Sequence, residues 1–389
     1  MIKVKEVKIL MLIQNINVIT PYEILRGYGV LIKNGKIIDI DLQENFKSKD
    51  YKVIDGEGHY LSPGFIDIHN HGNLGFDIMD STEEALDEIS KYHISNGVTS
   101  YLGTIITSSY EDIIKAIKNI NDYENKFKRS NIIGIHLEGP FFNRIKKGAQ
   151  PENYIKEPNL EEIKYILNYS KDKIKMISLA PELAGALDII KYLKEKNITV
   201  AMAHTNATFN EAKKAIECGA TVATHLYNGM RSFTHREPGV VGACLDDHRV
   251  YIELIYDRIH LHDITVKLTL KMKGYDKTIL VSDAMMAAGL PDGEYELGKQ
   301  KVNVLSGVAK LETGSLAGST LNLRTALYNM VNFLGIPIHE AVKMASLNPA
   351  KAINIADELG SIEVGKKANL IIFDKDINIK TVILHGKKL

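Results

Sequence analysis

Residues 64–72 read GFIDIHNHG, an apolar run fit for a buried strand that ends in two histidines around an asparagine and stops at a glycine. Side chains of an extended chain alternate faces, so His69 and His71 point one way and Asn70 the other. Two imidazoles on one face at a strand tip form a metal-ligand pattern, although buried histidines also serve as hydrogen-bonded core residues. The decision rests on what the other strand tips carry.

From residue 64 onward, eight short apolar runs alternate with helix-length amphipathic stretches. They are GFIDIH, VTSYLGT, IIGIHLEG, KMISLAPE, TVAMAHT, TVATHLYN, VYIELIYD and TILVSDA. Strands buried on both faces with helices between them predict a (β/α)8 TIM-type barrel. The helices carry their own punctuation. Ser81 or Thr82 can cap an amino end, Ala85, Leu86, Ile89 and Tyr92 or His93 recur at helical spacing, and Gly97 closes the turn. A second helix is expected from Phe209 to Cys218, and residues 287–317, rich in glycine and short strands, read as an insertion after the eighth strand.

The flanks differ from the middle. Residues 1–58 and 358–389 are short apolar strands with turn signals, among them Asn34-Gly35 between two apolar runs, as in a hairpin. These two ends are expected to form one small β-sandwich domain, leaving residues 59–357 to the barrel.

With 389 residues the chain can bury a large core without disulfides, and its two cysteines, Cys218 and Cys244, have no paired or metal-type spacing. Forty-eight basic residues balance forty-eight acidic ones, so no overall field attracts nucleic acid or an anionic membrane. The first twenty residues are too polar for a signal peptide or membrane span, so a cytoplasmic protein is expected. The lysines of KKG and GKK near residues 146, 366 and 387 read as solvated loop charges.

Set side by side, the strand tips offer His69 and His71 on the first run, Glu138 on the third, His204 on the fifth, His225 on the sixth and Asp283 on the eighth. The carboxyl ends of barrel strands converge on one face, where active sites of this fold lie. Six ligand-type side chains therefore meet in one place, which is hard to read as packing.

The stretches PGFIDIHNHG, HLEGPF, AHTNAT, THLYNGM, SDAM, GSLAGSTL, NPAKAI and GSIEVGKKANLIIFD resemble, in order and spacing, the N-acetylglucosamine-6-phosphate deacetylases of the amidohydrolase superfamily. The resemblance implies a metal held by Glu138, His204 and His225, with His69 and His71 able to add a second position that Glu138 bridges and Asp283 closes. One or two divalent ions are thus expected, zinc by default, with iron or another transition metal compatible with the same donors. It further implies sugar-phosphate contacts from Asn228, Gly229 and Arg236, a substrate-facing His260, and Leu316 against the acetyl methyl group. Gln150 stands where some relatives carry a histidine and is read as a substrate contact; Arg258 stands where glycine is more usual. An arginine placed like Arg236 can reach a neighbouring subunit's site, which implies a homodimer.

Amide hydrolysis suits such a centre, because a metal lowers the pKa of water from about 15.7 to about 7 and polarises the carbonyl. A carboxylate must then take the proton from water and deliver it to the departing nitrogen, a role that fits Asp283. Three other readings remain open from sequence: a deacetylase of the epimeric N-acetylgalactosamine 6-phosphate, a relative acting on a cyclic amide or dipeptide, and a barrel retained for assembly. His93, His136, His248 and His339 are read as structural or exposed.

Overall fold

A computed structural model describes residues 10–47, 50–126 and 132–389. Residues 1–9, which open the expected small domain, lie outside the described residues. Each of the eight apolar runs holds a strand: Phe65–Asp67, Val98–Ile106, Ile132–Glu138, Ile174–Leu179, Thr199–Met202, Val222–Ala223, Tyr251–Leu254 and Thr278–Leu280. They pair in parallel, in chain order, as one sheet. Their burial explains their composition: all nine residues of Val98–Ile106 are buried, between the barrel interior on one face and helices on the other.

The first and eighth strands meet beyond their regular ends. Asn70 bridges Ala284 in parallel, the Asp283 N–H donates to the His69 carbonyl at 2.9 Å, and the His71 N–H donates to the Ala284 carbonyl at 2.9 Å. This seam closes the barrel, and the candidate ligands His69, His71 and Asp283 lie on it.

The helix signals hold. Thr82 caps Glu83–Ser95, accepting from the Ala85 N–H at 3.1 Å, and Gly97 leaves the helix at φ 80°. Thr208 and Glu211 form a reciprocal capping box at the start of Phe209–Cys218. The insertion is a three-stranded antiparallel sheet, Gly293–Leu297, Gln300–Leu305 and Val308–Leu311, between the eighth strand and helix Leu323–Leu334. Its apolar residues join Ile106, Ala149 and Met285 in a small core.

Both chain ends enter a single second sheet. Leu10–Ile19 pairs with Ile24–Lys33 and with Tyr60–Pro63, and Tyr60–Pro63 pairs with Leu370–Phe373, which leads to Ile379–Leu384. Ile13, Val30, Ile37, Leu61, Leu370 and Ile383 build a core there that is separate from the barrel's. Asn34 and Gly35 take φ 53° and 77°, as a tight hairpin turn between strands of this twist requires. One charge reading fails: Lys366 is buried and donates to Ser361 Oγ at 2.5 Å, because its loop is hydrogen-bonded through Gly365 and Lys366 to Ile37 of the small sheet and the enclosed ammonium needs local acceptors.

Gly72 explains why the opening motif stops where it does. A Cβ there would stand 2.0 Å from the Phe76 carbonyl oxygen and 2.9 Å from the Asp77 Cα, across the two-residue ladder Gly72–Asn73 against Phe76–Asp77. Only a residue without a side chain lets the chain turn back directly after His71. Gly72→Ala is therefore expected to destabilise the fold by at least ~1–3 kcal/mol, the usual range for overpacking, as read by the urea midpoint; an unchanged midpoint would contradict this close approach.

Candidate metal centre

Glu138 ends the third strand with its side chain buried among four imidazoles. Its Oε1 lies 3.5 Å from Nε2 of His69, 3.3 Å from Nε2 of His204 and 3.4 Å from Nε2 of His225. Its Oε2 lies 3.3 Å from Nε2 of His71. Asp283 Oδ1 stands 3.4 Å from Nε2 of both His69 and His71. Two donors each about 2.1 Å from a tetrahedral ion sit roughly 3.4 Å apart, so these separations fit shared ions. Two overlapping sets can hold one: Glu138 with His204 and His225, and Glu138 with His69 and His71.

The hydrogen bonds behind the rings make the same point. His204 Nδ1 lies 3.0 Å from the Lys146 carbonyl oxygen and His225 Nδ1 3.1 Å from that of Asn228. A carbonyl only accepts, so Nδ1 carries the proton and, in the neutral ring, Nε2 presents a bare lone pair to the centre. His69 Nδ1 is held instead by the Glu253 carboxylate at 3.2 Å. His69 Nε2, although flanked by two carboxylates, makes no hydrogen bond among the described residues. A buried ring nitrogen left without a hydrogen bond between two carboxylates is what a metal ligand looks like.

Backbone geometry serves this convergence. His204, His225 and Asp283 fall just past the ends of their strands, at φ 42°, 30° and 48°. These left-handed turns aim the side chains into the barrel mouth, at a cost of about 1–3 kcal/mol each. Gly229 must come close: a Cβ there would lie 2.8 Å from His204 Nδ1.

Charge is balanced within the cluster. Burial works against the ionised form of Glu138, but the imidazoles of His69, His204 and His225 outweigh it and hold the carboxyl well below its usual range. Burial likewise opposes Asp283, and His69, His71 and His225 hold it down at about 2. Burial opposes a charge on His71 too, yet Asp283 and Glu138 push it up to about 9. These neighbours thus hold Asp283 in its carboxylate form. His136 remains neutral, lowered by burial and bonded to Ser178 Oγ at 2.7 Å, as a structural histidine should be.

A cavity of 290 Å³ opens above the cluster, close to the lower limit of ~300–1,000 Å³ usual for small-molecule sites. His71, Glu138, Gln150, His204, His225, Asn228, Gly229, His260, Asp283 and Leu316 all line it, while His69 lies behind. His260 is anchored by Asp257, whose Oδ2 lies 2.7 Å from Nδ1. Arg236 is exposed and does not line the cavity of its own chain. Gln150 is more than a lining residue: its Nε2 donates to Glu138 Oε2 at 2.7 Å and its Oε1 accepts from the Thr107 N–H at 3.2 Å. Arg258 adopts φ 68°, the conformation glycine supplies easily, and is fastened there by Asp263 at 3.1 Å and by the Phe333 ring at 3.8 Å.

Sequence reasoning passed over Glu253 and the loop at 146–149. Glu253 is a single polar letter inside an apolar barrel run and gives only a faint signal; the Lys146 contribution gives none, because it comes from a carbonyl that every residue type shares.

Residues 60–389 match the Amidohydrolase family. The chain is 37% identical to an N-acetylglucosamine-6-phosphate deacetylase of Lysinibacillus sphaericus over 97% of each chain. It is 36% identical to an N-acetylgalactosamine-6-phosphate deacetylase of Escherichia coli O157:H7, covering 86% of this chain and 89% of that one. Among solved structures, an aspartate variant of the N-acetyl-D-glucosamine-6-phosphate deacetylase of Mycobacterium smegmatis, in complex with N-acetyl-D-glucosamine-6-phosphate, superposes with a TM-score of 0.91 at 29% identity over 98% of this chain and 99% of that chain. With the buried histidine–carboxylate cluster at the barrel mouth, these likenesses establish that the chain belongs to the amidohydrolase family, among its N-acetylglucosamine-6-phosphate deacetylases.

Proposed function

We propose that this protein hydrolyses the acetamide of N-acetyl-D-glucosamine 6-phosphate to D-glucosamine 6-phosphate and acetate, in amino-sugar catabolism and cell-wall sugar recycling. The observation that carries the reading is Glu138 with four imidazoles and Asp283 around it at the floor of a sugar-sized cavity. Glu138, His204 and His225 would hold the main divalent ion, and His69, His71 and Asp283 would complete a second position with Glu138. Zinc is the default for nitrogen and carboxylate donors, and iron or another transition metal fits the same set. When bound, such ions lower the pKa of water and polarise a carbonyl oxygen. The cytoplasm is the setting in which a phosphosugar substrate would be met; among the described residues no helix is long and apolar enough to cross a membrane.

The chain's own residues supply the rest. Asp283, ionised and facing the cavity, removes the proton from water and returns it to the amide nitrogen, which leaves poorly unless protonated. Gln150 keeps Glu138 in one rotamer, and His260, fixed by Asp257, faces the sugar. Asn228 and Gly229 present polar groups at the cavity wall. Leu316 covers the acetyl methyl group.

Arg236 serves the phosphate of a neighbouring subunit's substrate. Its exposure in a single chain is consistent with that, and so is an apolar stripe nearby. Ile264, Leu268 and Met272, each more than half exposed, recur every fourth residue on helix Asp263–Lys273. That helix packs on Gly239–Asp246, where Phe233 also stands exposed over Gly242. A second copy covering this face makes the homodimer.

The test is acetate release from the 6-phosphates of N-acetylglucosamine, N-acetylgalactosamine and N-acetylmannosamine, before and after ion removal by a chelator. Fastest turnover of the gluco sugar, lost on chelation and restored by zinc, is expected; preference for the galacto sugar would transfer the assignment to the epimer. Asp283→Asn is expected to keep the fold while lowering turnover at least about a hundredfold, and near-normal turnover would remove Asp283 from the proton path. Arg236→Ala should raise KM for the phosphorylated sugar about tenfold or more, for a lost charged contact of ~1.5–3 kcal/mol, and leave the weak reaction of the unphosphorylated sugar alone. Equal losses on both substrates would refute the phosphate role.

A further inference from the structure

Glu253 stands within the seventh strand, Tyr251–Leu254, with its side chain wholly buried inside the barrel. Its only ion-pair partner among the described residues is the His69 ring, 3.2 Å from Oε2 to Nδ1. The same oxygen lies 3.3 Å from the His225 backbone nitrogen, which donates to it, and Oε1 makes no hydrogen bond among the described residues. A carboxylate in such surroundings is costly, and a neutral acceptor would satisfy the same donors. His204 and His225 show as much, since main-chain carbonyls orient both rings. The charge behind His69 therefore calls for a reason that packing does not provide.

We propose that Glu253 is the positioning residue that sets the affinity of the second ion position, formed by His69, His71, Glu138 and Asp283. Its negative charge fixes the proton of His69 on Nδ1, turns the Nε2 lone pair toward Glu138 and Asp283, and strengthens that nitrogen as a donor. The rings of the main position are oriented by neutral carbonyls, and Glu253 reaches that position only through the His225 main-chain N–H, which a neutral acceptor can hold as well. This inference rests on the two-ion reading above and adds the group that decides whether the second ion stays.

Glu253→Gln separates charge from shape, because its side-chain oxygen can still accept from His69 and His225. Glu253→Met removes the buried charge with little change of volume. Wild type, both variants and His69→Asn would be loaded with zinc, dialysed against graded chelator and analysed for zinc per chain, with circular dichroism to establish folding. The expected result is two ions leaving the wild type in two steps. Each folded Glu253 variant keeps the tight ion and holds the second about 10- to 100-fold more weakly, approaching His69→Asn. A wild type that binds one ion, a Gln variant that holds both as tightly as wild type, or one that loses both together would overturn the proposal. So would failure of both variants to fold, which would make Glu253 a residue of the fold alone. If the deacetylase reading were wrong, the sign would be different: two zinc ions per wild-type chain with no acetate released from any phosphosugar.

Discussion

Glu138 brings a full negative charge to the end of a barrel strand where its side chain is almost wholly enclosed. An ionised carboxylate taken out of water costs several kcal/mol unless partners surround it. Here the partners are imidazoles contributed from beyond the first, fifth and sixth strands, so satisfying one charge obliges three strand ends to converge. The left-handed backbone at His204 and His225 is the local expense of that convergence. Gly229 without a side chain and Gln150 tied to the second carboxylate oxygen are further consequences, each clearing or bracing the space around the same group.

What could be read from sequence follows from the same physics. Barrel strands are buried on both faces, so they stand out as continuous apolar runs, and polar residues at their tips stand out against them. The six ligand-type residues were visible for that reason. Glu253 belongs to the interior of a run, where one polar letter barely disturbs the apolar pattern. The seam between His69–His71 and Asp283–Ala284 joins distant segments and has no local signature at all. Lys366 looked like an ordinary loop charge because composition records a lysine's presence and not whether its loop is bonded against a sheet.

Two departures from the usual pattern of relatives resolve differently. Arg258 keeps the turn that glycine would give, and its strain is offset by the Asp263 carboxylate and the Phe333 ring. The loop carrying His260 therefore retains a defined shape, with Asp257 accepting from two successive backbone N–H groups and from the ring. Gln150 changes its job instead. An amide bonded on both ends to Glu138 and Thr107 braces the carboxylate, something a protonated ring at that position would do with a charge.

The seam ties the history of the chain to its chemistry. Ser282 Oγ donates to the His69 carbonyl across 213 residues of sequence, so the ring closes only after the intervening seven strands have been laid down. An ion gripped by His69 and His71 on one side and Asp283 on the other would act as a clasp on the hoop, absent from any open form. Such a clasp stabilises the closed barrel by mass action, ~2.7 kcal/mol when free ion is a hundredfold above its dissociation constant. Metal supply would then govern how often the hoop springs open, and with it the lifetime of the protein as well as its turnover.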